Sequence, residues 1–245
     1  MADVASRADR PIAGVATRVA EPVDIDRDPG VSAIEQEKRA AAEAAAALVE
    51  DGMTVGLGTG STVHYLLPAI AARRLTIRCV ATSPRTELEA RGLGIDVGPF
   101  ERLDRPLDIA IDGADQVAPD GWLIKGGGGA HTREKIVAAA ADRFVVIVSS
   151  NKVVDRLTPP VPLELLEYGL PMTLRALAPT TVRDAPRSPD GGLIADFEGE
   201  LGDPAALAAR LSATPGVVDH GLFAPALVSD VLIAHGGAVE HRRPN

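Results

Sequence analysis

The sequence predicts an α/β fold: a doubly wound, mostly parallel sheet covered by helices, with a second, smaller α+β domain. Three observations predict it. Short apolar runs bounded by glycine alternate with helical runs from residue 32 to residue 149, the pattern of a parallel sheet wrapped by helices. Hydrophobic residues make up 46% of the 245 but aromatics only 3%, so the core must be built from Ala, Val, Leu and Ile, which suits such layers. After Lys152 the alternation stops, and proline and turn residues take over.

The elements follow in order. Residues 1–30 mix charge, proline and glycine and are expected to form a disordered tail. "SAIEQEKRAAAEAAAALVEDG" is an Ala-rich helix, with Ser32 as cap, Glu35 completing a capping box, and Gly52 ending it. "MTVGLGTGST" reads as a buried strand, Met53–Leu57, opening into a glycine turn. "TVHYLLPAIAAR" is the next helix, bent by Pro68. "LTIRCVAT" is a second strand, and "SPRTELEARGLG" a helix with Pro84 near its start and Gly92 near its end. "LDIAIDGAD" and "RFVVIVSS" are the third and fourth strands.

Beyond Lys152, "LTPPVPLELLEYGLP" is proline-rich and "APTTVRDAPRSPDGG" turn-rich. "GLIADFEG" reads as a strand, and "DPAALAARLSATPG" as a helix capped by Asp203 with Pro204 at its first position. "VVDHGLFA" and "VSDVLIAHGG" read as strands. The division is a large α/β catalytic domain of residues 31–157 plus 229–245, and a small α+β domain of residues 158–228.

Bulk properties narrow the function. A net charge of −9 argues against nucleic acid as the main partner, since a phosphate backbone needs a basic face. One cysteine, Cys79, allows no intramolecular disulfide, and a reducing cytoplasm is the simplest compartment. No apolar run approaches a membrane span. The histidines at 64, 131, 220, 235 and 241 show no zinc spacing, so no metal is expected.

Three stretches fall at strand ends, where ligands bind in such sheets. In "GLGTGST" (56–62) the glycines let backbone N–H groups approach an anion, Thr59, Ser61 and Thr62 add hydroxyls, and the next helix adds its positive end. A phosphate monoester fits; so does a plain tight turn. Neither the dinucleotide fingerprint nor the P-loop lysine is present. In "DGAD" (112–115) two carboxylates end an apolar strand. They suit polyol hydroxyls or cations, or an Asx-type turn at the surface. In "KGGGGAHTRE" (125–134) four glycines separate Lys125 from Glu134. So costly a run is justified if backbone must wrap closely around a ligand. Glu134 then faces the cavity, or merely complements the helix dipole. His131 is expected to pack or hydrogen-bond at the turn.

Together these segments resemble the type A ribose-5-phosphate isomerases. "GLGTGST", "DGAD" and "LIKGGGGAHTREKIVAAAADRFVVIV" stand in family order, followed by "SNKVV", "PVPLE", "PGVVDHGLF" and "DVLIAHGG". The likeness spans about residues 34–239. It implies interconversion of D-ribose 5-phosphate and D-ribulose 5-phosphate through a cis-enediolate, with no metal and no organic cofactor. By position it implies Glu134 as general base, Asp112 and Lys125 as partners of the sugar oxygens, and Asp115 as an aid to ring opening. Substrate contacts fall to Lys38, Thr59, Gly60, Ser61, Thr62, Gly126, Gly127, Gly128 and Lys152. It implies a homo-oligomer, dimer or tetramer, whose partner is the phosphosugar rather than nucleic acid or membrane.

The sequence departs from the family pattern in places. Gln116 replaces a glutamate, and His131 a leucine-like residue. Pro84 and Arg85 replace smaller or acidic residues, "PDGG" (189–192) replaces an Asp-Asn-Gly-Asn turn, and the helix before it looks shortened and proline-broken. These leave room for a paralogue acting on a related sugar phosphate. The rival readings are a silent sugar-phosphate sensor, for which 30 leading residues are too few to form a winged helix, and an acyl-CoA transferase, whose glutamate context is absent.

Overall fold

The computed structural model describes residues 32–103 and 105–244, so the expected tail lies outside the described residues. Helix α1 (Ala33–Ala46) starts where the Ser32 side chain accepts from the Glu35 amide. Only half of the expected capping box forms. The Glu35 carboxylate turns instead to Lys38 Nζ and to the Tyr65 hydroxyl, each at 2.6 Å, because charge-assisted partners outcompete a cap amide.

Strand β1 (Thr54–Leu57) leads into α2 (Ser61–Ala72), which continues through Pro68. Then come β2 (Arg78–Ala81), α3 (Pro84–Gly92) capped by Ser83, β3 (Ile109–Asp112), and two short strands, β4 (Gln116–Val117) and β5 (Leu123–Ile124). Helix α4 (His131–Ala139) and β6 (Phe144–Ser149) complete the first half. The second half holds β7 (Val161–Leu165), α5 (Leu170–Ala176), β8 (Thr180–Val182), β9 (Leu193–Phe197) and α6 (Pro204–Ser212), the last capped by Asp203. It closes with β10 (Val217–His220), β11 (Leu222–Phe223), β12 (Asp230–His235) and β13 (Ala238–Arg242).

The large sheet has the order β13-β12-β6-β3-β1-β2, parallel except for β13. Strand order reverses between β1 and β3, and Leu57 stands beside both Ala81 and Ile111. The loop after β1 and the end of β3 therefore meet at the switch point, where a crevice opens in such sheets. One face of the sheet packs on α1 and α2 through small side chains such as Ala41, Ala42 and Ala45. The other face packs α4 over Leu107, Phe144 and Phe223. A separate core fills the four-stranded antiparallel sheet β10-β7-β9-β8.

Several expectations need correction. "VVDHGLFA" is not one strand. It breaks at Gly221 between β10, which joins the four-stranded sheet, and β11, which pairs with β5 in a third sheet, β11-β5-β4. Gly221 donates to Pro162 O and accepts from the Lys125 amide, and a side chain there would meet Lys125 O. The proline-rich stretch contains an interior strand, β7, and the turn-rich stretch contains β8. Pro171 opens α5 rather than breaking it, as expected of a proline in a first turn. β13 follows a Gly236–Gly237 turn with both glycines at positive φ.

Candidate active site

Three elements bring the chemistry together: the loop after β1, the end of β3, and the loop from β5 into α4. Lys125, Glu134 and Asp112 are all buried, at 3%, 4% and 3% exposure. Lys125 Nζ donates to Gly113 O at 2.6 Å and stands 2.9 Å from Asp112 Oδ2 and 3.1 Å from Glu134 Oε2. Asp112 Oδ1 accepts from the amides of Thr59 (3.0 Å) and Gly113 (2.7 Å). Gly58 permits this approach, since a Cβ there would lie 2.0 Å from the Asp112 carboxylate.

One ammonium thus serves two buried carboxylates, and the electrostatics follow. Burial pushes the Glu134 carboxyl up to about 8, and the Asp112 charge adds to this, while Lys125 opposes it. The helix N-terminus and burial pull opposite ways at Glu134, and burial wins. Burial also raises Asp112, against the opposing pull of Lys125 and of two backbone amides. Burial alone would lower Lys125, but Asp112 and Glu134 hold it above its ordinary value. Two carboxylates around one cation at this depth favour sharing a proton. Glu134, with no backbone donor comparable to those on Asp112, is the natural holder of that proton.

The cavity beside this cluster is lined by Thr59, Gly60, Ser61, Thr62, Asp115, Lys125, Gly126, Gly127, Gly128, Glu134 and Lys152, together with Gly113 and Ala114. Eleven of the thirteen residues expected at the site therefore meet in one place. Asp112 lies behind Lys125 rather than on the cavity wall. Lys38 is not among the lining residues and is paired with Glu35. Gly60, at φ 126°, caps α2 without a side-chain bond, which leaves the leading amides of α2 for an anion. Thr59 Oγ1 is tied to Thr82 Oγ1 at 2.8 Å. Asp115 Oδ2 accepts from the Gly127 amide at 2.8 Å. Larger grooves exist, such as one of about 680 Å³ bordered by Asp120, Asp155, Glu198 and Glu200, but they lack this combination of cation, buried carboxylates and helix end.

Some contributors were not read from the sequence. Glu37 on α1 accepts from Ser150 N and Oγ and from Gly236 N, and so fixes the turn that carries Lys152. Buried Glu164 accepts from Thr132 Oγ1 and Ser188 Oγ, Asp190 pairs with Arg133, and Asp219 with Lys135. These tie the first turns of α4 to the four-stranded sheet. No local motif marks them, because their partners lie far away in sequence. Gln116 forms a reciprocal pair with the Thr158 backbone, so its amide is engaged away from the cavity. His131 is fully buried with neither ring nitrogen hydrogen-bonded, and burial pushes it down to about 4. It packs as a neutral ring.

Comparison with known proteins agrees with this geometry. Residues 78–237 match the family model "Ribose 5-phosphate isomerase A (phosphoriboisomerase A)". A shorter match, to the "DeoR C terminal sensor domain", covers residues 34–93 and stops before Asp112, Lys125 and Glu134. Ribose-5-phosphate isomerase A of Roseiflexus sp. (strain RS-1) is 45% identical over 227 residues, covering 85% of this chain and 96% of the relative. The structure of ribose 5-phosphate isomerase A from Methanocaldococcus jannaschii superposes with a TM-score of 0.79 at 33% identity, covering 85% of this chain and 99% of the other. A D-ribose-5-phosphate isomerase solved in complex with phospho-erythronic acid gives 0.81 at 31% identity, over 86% and 100%.

Proposed function

The chain belongs to the ribose 5-phosphate isomerase A family, and we propose how its own residues interconvert D-ribose 5-phosphate and D-ribulose 5-phosphate. The observation that carries the reading is the buried Lys125–Glu134–Asp112 cluster opening onto a helix end suited to phosphate. The phosphate sits on the α2 amides with the Ser61 and Thr62 hydroxyls, and Lys152 adds positive charge. Asp115 assists opening of the furanose ring.

In the open-chain aldehyde, ionised Glu134 removes the C2 proton. The C–H electrons form the C1–C2 double bond, and the carbonyl electrons move onto O1. Lys125 stabilises this oxyanion. Glu134 returns its proton to C1, the O2 proton passes to O1, and a C2 ketone results. Net, one proton has moved from C2 to C1 and one from O2 to O1. No step needs a metal or organic cofactor. A relative solved in complex with phospho-erythronic acid, a phosphorylated sugar acid, supports a phosphosugar as the ligand of this cavity. A homo-oligomer in the cytoplasm, with residues 158–228 as the smaller domain, belongs to the same reading.

A sensor that binds without turnover is the rival, favoured by the sensor-domain match across residues 34–93. Turnover of ribose 5-phosphate by protein treated with chelator, beside Glu134→Gln, separates the two. The variant is expected to lose about 100-fold or more while still binding substrate. Binding without turnover in the wild type would favour the sensor, and full activity in the variant would refute the base.

A further inference from the structure

Arg183 follows β8 in the four-stranded sheet and reaches across to the tetraglycine loop. Its Nη1 donates to Gly126 O at 3.0 Å and to Gly127 O at 3.1 Å. Its other edge is locked in a two-pronged pair with Asp196, Nε at 2.7 Å and Nη2 at 2.6 Å. The guanidinium makes four bonds here, two to carbonyls and two to the separate oxygens of one carboxylate, whereas an ammonium has only three donors and no planar fork to match a carboxylate.

The two carbonyls fix two successive peptide planes. In a trans peptide the N–H points opposite to the C=O. With Gly126 O turned to Arg183, the Gly127 N–H must point the other way, and it does, donating to Asp115 at 2.8 Å. With Gly127 O turned to Arg183 as well, the Gly128 N–H is also directed away from the four-stranded sheet. Gly128 lines the cavity beside Thr59, and its amide has no hydrogen-bond partner among the described residues. A glycine run has little conformational preference of its own; within it the Gly129 amide closes a turn on Gly126 O, while the Gly127 carbonyl, and with it the Gly127–Gly128 peptide plane, is held by Arg183.

Resting on the isomerase reading, we propose that Arg183 is a positioning residue: it clamps the tetraglycine loop so that the Gly128 N–H faces the cavity as a donor to the oxyanion of the enediolate. The donor is used most in the charged intermediate, so its loss should be felt in turnover rather than in phosphate binding.

The test compares wild type, Arg183→Lys and Arg183→Ala, with Glu134→Gln as the inactive control and melting temperatures to confirm folding. Arg183→Lys is expected to lower kcat by about 10- to 100-fold, with KM for ribose 5-phosphate within about threefold of wild type. Affinity for phospho-erythronic acid should fall more than affinity for substrate, and added guanidinium should restore part of the Arg183→Ala activity. Wild-type kcat in Arg183→Lys would overturn the proposal. So would a loss in Arg183→Ala that follows its melting temperature and ignores guanidinium. An inactive wild type would instead remove the isomerase reading itself.

Discussion

The molecule has two glycine loops at its cavity, and they are held in opposite ways. The loop at 58–62 is fastened by its own parallel sheet. Gly58 N donates to Ile111 O, Thr86 Oγ1 donates to Gly58 O, and the Thr59 amide donates to Asp112. The loop at 126–129 closes its own turn, Gly129 N donating to Gly126 O, and the Gly127 amide donates to Asp115, but its remaining anchors come from other sheets. Lys125 N donates to Gly221 O, and Arg183 holds the next two carbonyls. A phosphate seat can be built by neighbouring strands and a helix end alone. A loop that must present a lysine, an amide and a carboxylate to one pair of carbons needs a second wall to hold it.

Experiments can break or sharpen that contrast. The largest expected effect is the loss of turnover in Glu134→Gln, in the first turn of α4 just after the loop at 126–129. Next is Gly58→Ala on the loop held by its own sheet. Its Cβ would meet the Asp112 carboxylate at 2.0 Å and displace the partner of Lys125. Turnover should drop about 100-fold, the scale of an ångström-sized misplacement, and phosphate binding should weaken too, because the Thr59 amide loses its anchor on Asp112. A change confined to KM would mean that the first loop only binds.

A third experiment follows the proton. Glu134 must be ionised to act, and its pKa is pushed up to about 8 by burial. kcat/KM should therefore rise about tenfold per pH unit below that value and level off above it. A profile already flat from pH 6 would place the base in a wetter, lower-pKa setting. The same raised pKa implies stability that is fully present below about 4.5 and is lost as pH climbs through 8.

The smallest effect concerns the fold rather than the rate. His131 lies under the tetraglycine loop, where a Cβ on Gly126 would meet its ring, and neither nitrogen is paired. His131→Leu should raise stability by about 1–3 kcal/mol at neutral pH, the cost of an unsatisfied buried polar group. Below about 6.5 the unfolded histidine takes a proton that the folded one refuses down to about 4. Wild-type stability therefore falls across that window, and the advantage of the leucine variant should widen on acidification. Thermal unfolding at pH 7 and pH 5 decides it. Equal curves would mean that the ring has partners in solution.

Much of the large sheet was legible because its parallel strands are short apolar runs, three of which, β1, β3 and β12, exit into glycine. The motifs at 56–62, 112–115 and 125–134 led directly to one cavity. The small sheet was harder to read. β7 carries Pro162 in an interior strand, contrary to the usual placement of proline, and β8 is only three residues long. Gly221 looked like part of a strand but is the point where the chain leaves one sheet for another. Lys38 was assigned to the cavity by its family position, yet its ammonium is paired with Glu35 one turn away.

The sequence by itself determined the strand–helix alternation and the places of the glycine motifs, which depend on residues close in the chain, through periodicity and capping. Its likeness to the family singled out Glu134 and Lys125 as the candidate base and cation. Tertiary structure alone decided that burial overrides the helix dipole at Glu134, that Lys125 is shared between two carboxylates, and that Arg183 orients the glycine loop. Those outcomes depend on desolvation and on partners tens of residues apart. Distance in space, which no local pattern encodes, sets both.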